Sequence, residues 1–120
     1  MSAGMIAIKY GFMGANFATV SACASSNHAL ISAFNCIRTG QADIILAGGT
    51  EAAITPSSVG GFNSMKALST NNDEYATASR PYDVNRDGFV IGEGAGAIVL
   101  EEYVYKFNLI QGLFRRFRRK

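Results

Sequence analysis

The chain has 120 residues, 48% of them hydrophobic, with 13 glycines, two prolines and a formal net charge of +2. That profile is globular and excludes disordered and collagen-like classes, and no apolar run approaches the length of a membrane span. Five of the eleven basic residues lie in the last six positions; residues 1–114 carry six basic and nine acidic groups, and no basic field of the kind that binds nucleic acid covers them.

The opening segment MSAGMIAIKY lacks the basic lead and long apolar stretch of a signal peptide. Only two cysteines are present, thirteen residues apart and in no CxxC pair. They suggest neither a disulfide framework nor a zinc site, so a reducing, cytoplasmic setting is expected. After the turn-forming GFMGAN, the run NFATVS (Asn16–Ser21) has the β-branched and aromatic residues of a strand.

From Ala24 to Arg38, apolar residues at Ala29, Ile31, Ala33, Phe34 and Ile37 predict a mostly buried helix, with Gly40 as its C-terminal cap. DIILAGG (Asp43–Gly49) is continuously apolar, as in a strand covered on both faces. Strand, helix and strand in that order predict a right-handed parallel βαβ unit. TPSSVGGFNSMKALS reads as a Gly-rich loop leading into a short helix with Phe62, Met65 and Leu68 on one face. A long polar loop, TNNDEYATASRPYDVNRDG, precedes a last strand in GAGAIVLEEYV. The architecture is layered α/β, with few strands and much apolar surface that needs neighbours.

Cys23 sits between small residues where the strand pattern gives way to the helix pattern. A thiol at a helix start lies near unpaired backbone N–H groups and the positive end of the helix dipole. Those amides favour the thiolate and stabilise an oxyanion formed beside it. A helix terminus contributes only roughly 0.3–2 kcal/mol, so a competent nucleophile needs a second partner, usually an imidazole. The sole histidine, His28, is five residues on and about 140° around the helix axis. It is badly placed to serve Cys23 and is read as capping or packing in its helix region. The alternative is that Cys23 is a small buried hydrophobe, the reading given also to Cys36.

Three other patterns are weaker. DVNRDG opens like a calcium loop, but the twelfth position from Asp83 is Gly94 where a bidentate Glu is needed, so a turn ordered by Asx hydrogen bonds is the better account. GEGAGA spaces its glycines as GxGxG ahead of a strand, which favours tight backbone packing over phosphate binding. Glu51 and Asp87 are candidate acid–base groups, although loop carboxylates are commonly just solvated or hydrogen-bonded.

Four stretches, TVSACASSNHA, ADIILAGGTEAAIT, GGFNSMKALSTNN and ASRPYDVNRDGFVIGEGAGAIVLEE, resemble the β-ketoacyl-acyl-carrier-protein synthases, and specifically the elongating type II enzymes of fatty-acid synthesis. The resemblance implies part of the N-terminal half of a thiolase-like layered α/β fold over residues 1–104, followed by an unmatched basic tail, 105–120. It implies a decarboxylative Claisen condensation in which Cys23 accepts an acyl chain as a thioester and malonyl-carrier protein supplies the carbanion. By position, Phe62 matches a gating phenylalanine, Ala53 and Ser58 lie along the same acyl-pocket wall, and Lys66 matches a basic position near the pantetheine entrance.

The implied partners are acyl carrier protein, which brings substrates on phosphopantetheine, and a second copy paired through the NFATVS strand. No tightly bound cofactor, metal, nucleic acid or membrane span is implied. The family's two catalytic histidines and lysine have no counterpart here, and its first strands lie upstream of Met1. The chain is therefore expected to be a nucleophile-bearing fragment, inactive by itself. Two other readings stand beside this one: a non-catalytic module using the basic tail to bind membrane or nucleic acid, and a polyketide-type synthase.

Overall fold

The computed structural model describes residues 2–103, so the expected basic tail, 105–120, lies outside the described residues. The chain divides into two compact units, one built from the chain up to Thr50 together with the segment from Ala95 onward, the other from Glu51–Gly94.

In the first unit, helix α1 (Ser2–Tyr10) ends at Gly11, where φ is +70° and the Phe12 amide donates back to the Ala7 carbonyl at 2.9 Å. A single 3₁₀ turn, Ala22–Ala24, leads into helix α2, Ser25–Arg38. Its far end closes as the sequence predicts. The Gly40 amide donates to Ile37 O at 3.0 Å and the Gln41 amide to Cys36 O at 2.9 Å, the paired bonds of a Schellman cap. That geometry needs a positive φ at the residue after the cap, and Gly40 takes +70° without steric cost.

Strand β1 (Ile44–Glu51) pairs with strand β2 (Gly94–Glu101) in a two-stranded sheet. The Glu102 amide donates to Asp43 O at 2.9 Å, and Gly48 lies against Gly96 and Ala97, so the two strands run antiparallel. The expected parallel βαβ unit, with Asn16–Ser21 as its first strand and Asp43–Gly49 as its second, does not form among the described residues, because its first strand is absent. Asn16–Ser21 forms no strand, and its Phe17 and Val20 are 58% and 91% exposed. The physical reason is that β propensity alone cannot hold a strand; backbone N–H and C=O groups need a ladder partner, and among the described residues none pairs with this segment.

The expected burial is also corrected. Of the apolar positions on α2, only Ala33 is buried; Ala29 and Ile37 are half-buried, while Ile31 and Phe34 are exposed. Cys36 is half-buried. On β1 only Ala47 is buried, so the strand is not covered on both faces. An amphipathic element is buried only by a second layer packed on it, and the described residues provide too few layers. The apolar surface that needs neighbours is present, as the composition predicts.

In the second unit, helix α3 spans Pro56–Ser64. It starts earlier than expected, because Thr55 caps it, accepting from the Ser58 amide at 3.3 Å, and Pro56 takes the first turn, where its missing N–H costs nothing. Consequently Met65 is the C-cap and Leu68 lies beyond the helix, in an isolated bridge with Phe89; the expected shared face of Phe62, Met65 and Leu68 does not form. The polar stretch after Ser69 is loop, as predicted, containing one 3₁₀ turn, Tyr75–Thr77.

Candidate active site

Cys23 occupies the middle of the 3₁₀ turn, directly ahead of the 14-residue helix α2, and is exposed. It is therefore not the buried small hydrophobe of the alternative reading. Ala24 donates to Ser21 O at 3.1 Å and Ser25 to Ala22 O, whereas the Cys23 amide donates to no oxygen among the described residues. A free amide beside an accessible sulfur can serve a developing oxyanion.

A web of polar contacts holds this turn. The Ser25 hydroxyl accepts from the Ser21 amide at 2.9 Å and donates to Ala22 O at 2.8 Å. The Thr19 hydroxyl donates to Ser25 O at 2.8 Å. His28, on the exposed side of α2, shares a 2.6 Å hydrogen bond between its Nδ1 and Ser21 Oγ. It makes no hydrogen bond to Cys23 among the described residues, as the helical spacing predicts; it bonds the Ser21 side chain rather than a backbone group at the helix end, so it does not cap α2. Behind the turn, a Cβ at Gly49 would overlap the Ser26 side chain, so the end of β1 backs directly onto the first turn of α2.

Ala22 has φ +49°, a left-handed conformation that a non-glycine residue adopts at a cost of about 1–2 kcal/mol. The serine web around the turn and the bond from His28 to Ser21 were not foreseen from the sequence. The signal available was the pair of serines two residues before and after Cys23, short side chains able to bond to nearby backbone.

The other expected site residues, Ala53, Ser58, Phe62 and Lys66, all lie in the second unit. Ala53 precedes α3, and its carbonyl accepts from the Thr55 amide at 2.8 Å. The Ser58 hydroxyl accepts from Thr55 Oγ1 at 3.1 Å. Phe62 is 37% exposed and sits edge-on to Phe89, with ring centroids 5.2 Å apart.

Lys66 is exposed, with φ +53°, at the position after the α3 cap. Its amide donates to Asn63 O at 2.9 Å and the Ala67 amide to Phe62 O at 3.1 Å, a second Schellman cap with lysine where glycine is favoured.

Two loop carboxylates, Asp87 and Asp83, behave as structural groups. Asp87 accepts from Ser69 Oγ at 2.6 Å and from the Thr70 amide at 2.9 Å, and these bonds hold its carboxyl below the usual carboxylate range. Asp83 accepts from the Asn85 amide at 2.7 Å, the Asx turn that the sequence predicts in place of a calcium loop. The same unit holds a cavity of about 690 Å³ lined in part by Arg80, Tyr82, Arg86 and Phe89. Arg80 donates through Nε to Thr77 O at 2.8 Å and Arg86 through Nη1 to Asp83 O at 2.9 Å, so both guanidinium groups staple their own loop. Among the described residues no cluster suited to a metal ion occurs, and no helix is long and apolar enough to cross a membrane.

Residues 1–104 match the family model for the β-ketoacyl synthase N-terminal domain. The chain is 55% identical over 101 residues to the chloroplastic 3-oxoacyl-[acyl-carrier-protein] synthase I of Hordeum vulgare, an alignment that covers 84% of this chain and 22% of that protein. It is 53% identical over 104 residues to the mitochondrial 3-oxoacyl-[acyl-carrier-protein] synthase of Arabidopsis thaliana, covering 86% and 23%. The chain thus spans under a quarter of the length of these curated relatives.

Among solved structures it is similar to AntDE:AntF, a type II polyketide-synthase acyl-carrier protein in complex with its ketosynthase, with a TM-score of 0.85 and 39% identity over 89% of this chain and 26% of that one. The expected fold class, part of a thiolase-like layered α/β fold, is borne out by that likeness. The exposed thiol, its turn and its helix therefore stand in a recognised framework: the chain belongs to the β-ketoacyl synthase family.

Proposed function

We propose that the chain carries the nucleophile of a 3-oxoacyl-[acyl-carrier-protein] synthase of fatty-acid synthesis, and that the nucleophile is Cys23. The observation that supports this reading is the exposed sulfur at the entrance to α2, beside an amide that donates to no other oxygen among the described residues. The Cys23 thiolate attacks the carbonyl carbon of an acyl thioester on the phosphopantetheine of acyl carrier protein. The tetrahedral oxyanion takes a hydrogen bond from the Cys23 N–H; the pantetheine sulfur leaves as a thiolate, and the acyl chain stays on Sγ. Loss of carbon dioxide from malonyl-carrier protein then gives a carbanion that attacks the Cys23 thioester, and the 3-oxoacyl product departs on the carrier as Sγ is released.

Within the second unit, Phe62, Ala53 and Ser58 form the acyl-side wall and Lys66 meets the acidic carrier protein. A lysine kept where the backbone favours glycine supports a role for its charge, since strain of this kind persists at functional positions. Asn16–Ser21 pairs with its copy in a homodimer. Its missing ladder partner among the described residues and the exposure of Phe17 and Val20 support that pairing. The two free cysteines suit a reducing compartment such as the cytoplasm.

The polyketide-type alternative draws on the 0.85 TM-score against AntDE:AntF; the higher identity to the barley synthase, 55% against 39%, favours fatty-acid synthesis. The test is to incubate the chain with acylated carrier protein, with and without malonyl-carrier protein, and weigh it intact. One acyl mass gained by the wild type and none by Cys23→Ala, with no 3-oxoacyl product formed, is the expected result. No gain by the wild type, or an equal gain by the variant, overturns the assignment.

A further inference from the structure

The Cys23 turn is held from two points on the first turns of α2, Ser25 and His28, three residues apart and so on one helical face. Ser25 grips the backbone on either side of the bond from Ser21 to Ala22, accepting from the Ser21 amide and donating to Ala22 O. His28 grips the Ser21 side chain at 2.6 Å. Between these two anchors and Cys23 lies Ala22 at φ +49°. A left-handed alanine persists only where its surroundings over-determine it.

Resting on the reading of Cys23 as nucleophile, we infer that His28 is a positioning residue: through Ser21 it locks the strained Ala22 turn that presents Sγ and the free Cys23 amide together. His28 neither touches the reacting sulfur nor moves a proton to it. The imidazole acts instead as a rigid arm, fixed to the helix by its backbone and to the turn by Nδ1. Without it, Ser21 keeps its backbone bonds to Ser25 and Ala24 but loses its side-chain tether; Ala22 is then less restrained and relaxes toward negative φ, which rotates the Cys23 peptide away from its sulfur.

The experiment measures the rate at which iodoacetamide alkylates Cys23 in the full chain, with Cys36 as internal reference. His28→Phe and Ser21→Ala are each expected to slow Cys23 roughly three- to tenfold, the worth of one hydrogen bond. The double variant should be no slower than either single one. His28→Asn, whose amide replaces Nδ1, should restore the rate to within about twofold of wild type, a rescue that a merely space-filling histidine does not predict.

Unchanged rates in both single variants, multiplied effects in the double variant, or failure of His28→Asn to rescue each overturn the inference. Should His28→Phe unfold the chain, seen as Cys36 reacting as fast as Cys23, the comparison of Ser21→Ala with wild type decides. A wild type in which Cys23 is no faster than Cys36 contradicts the nucleophile assignment itself; a fast wild type with indifferent variants contradicts only the role of His28.

Discussion

Phe62 presents its ring edge-on to Phe89, with centroids 5.2 Å apart and planes at 84°. The pair joins the end of α3 to the bridge in which the Phe89 amide donates to Ala67 O and the Ser69 amide to Phe89 O, each at 3.0 Å. An aromatic pair of this geometry contributes about 0.5–1.5 kcal/mol beyond its buried area. Phe62→Ala should therefore speed hydrogen exchange at the Phe89 and Ser69 amides by roughly two- to tenfold. Unchanged exchange there would show that the ring contact does not hold the bridge.

At Lys66, backbone and charge pull in opposite directions. Lys66→Gly removes a left-handed strain of about 1–2 kcal/mol and gives back about 0.5–1 kcal/mol through the freer unfolded chain. A small net stabilisation is expected in urea unfolding. The same variant should bind acyl carrier protein more weakly at low ionic strength, with the difference shrinking as salt screens the contact. Equal binding by the variant and wild type would leave the lysine without a carrier role.

The Asp87 carboxyl is held below the usual carboxylate range first by the Ser69 hydroxyl and next by the Thr70 amide. A folded-state value below the unfolded one means that the contribution is fully present above the unfolded value and is lost as pH falls through the folded one. The Thr70 amide should accordingly stay protected from exchange down through the ordinary carboxylate range and lose protection only at more acid pH. In Asp87→Asn that acid step should vanish. An acid step that persists in the variant would assign it to another group.

Local chemistry was the legible part of the sequence. Gly40 announced the end of α2 because a left-handed cap needs a residue without Cβ, and Asp83 announced its Asx turn because both partners lie two residues apart. Cys23 at the entrance to a helix was readable for the same reason.

What failed was whatever depended on distant partners. Asn16–Ser21 has strand residues and forms no strand, since the ladder partner is a tertiary matter. β1 pairs antiparallel with β2, across more than forty residues that periodicity cannot see. The link from His28 to Ser21 was not legible because it spans seven residues and depends on how the Ala22–Ala24 turn folds back, which local spacing does not fix.

The most direct test of the central claim is to locate the acyl group after reaction with acyl-carrier protein, by digesting the chain and mapping the modified peptide. The account predicts the acyl mass on the peptide bearing Cys23, labile to hydroxylamine as a thioester is, and present in Cys36→Ser. An acyl group found on Cys36, or on no cysteine at all in a folded chain, would contradict it.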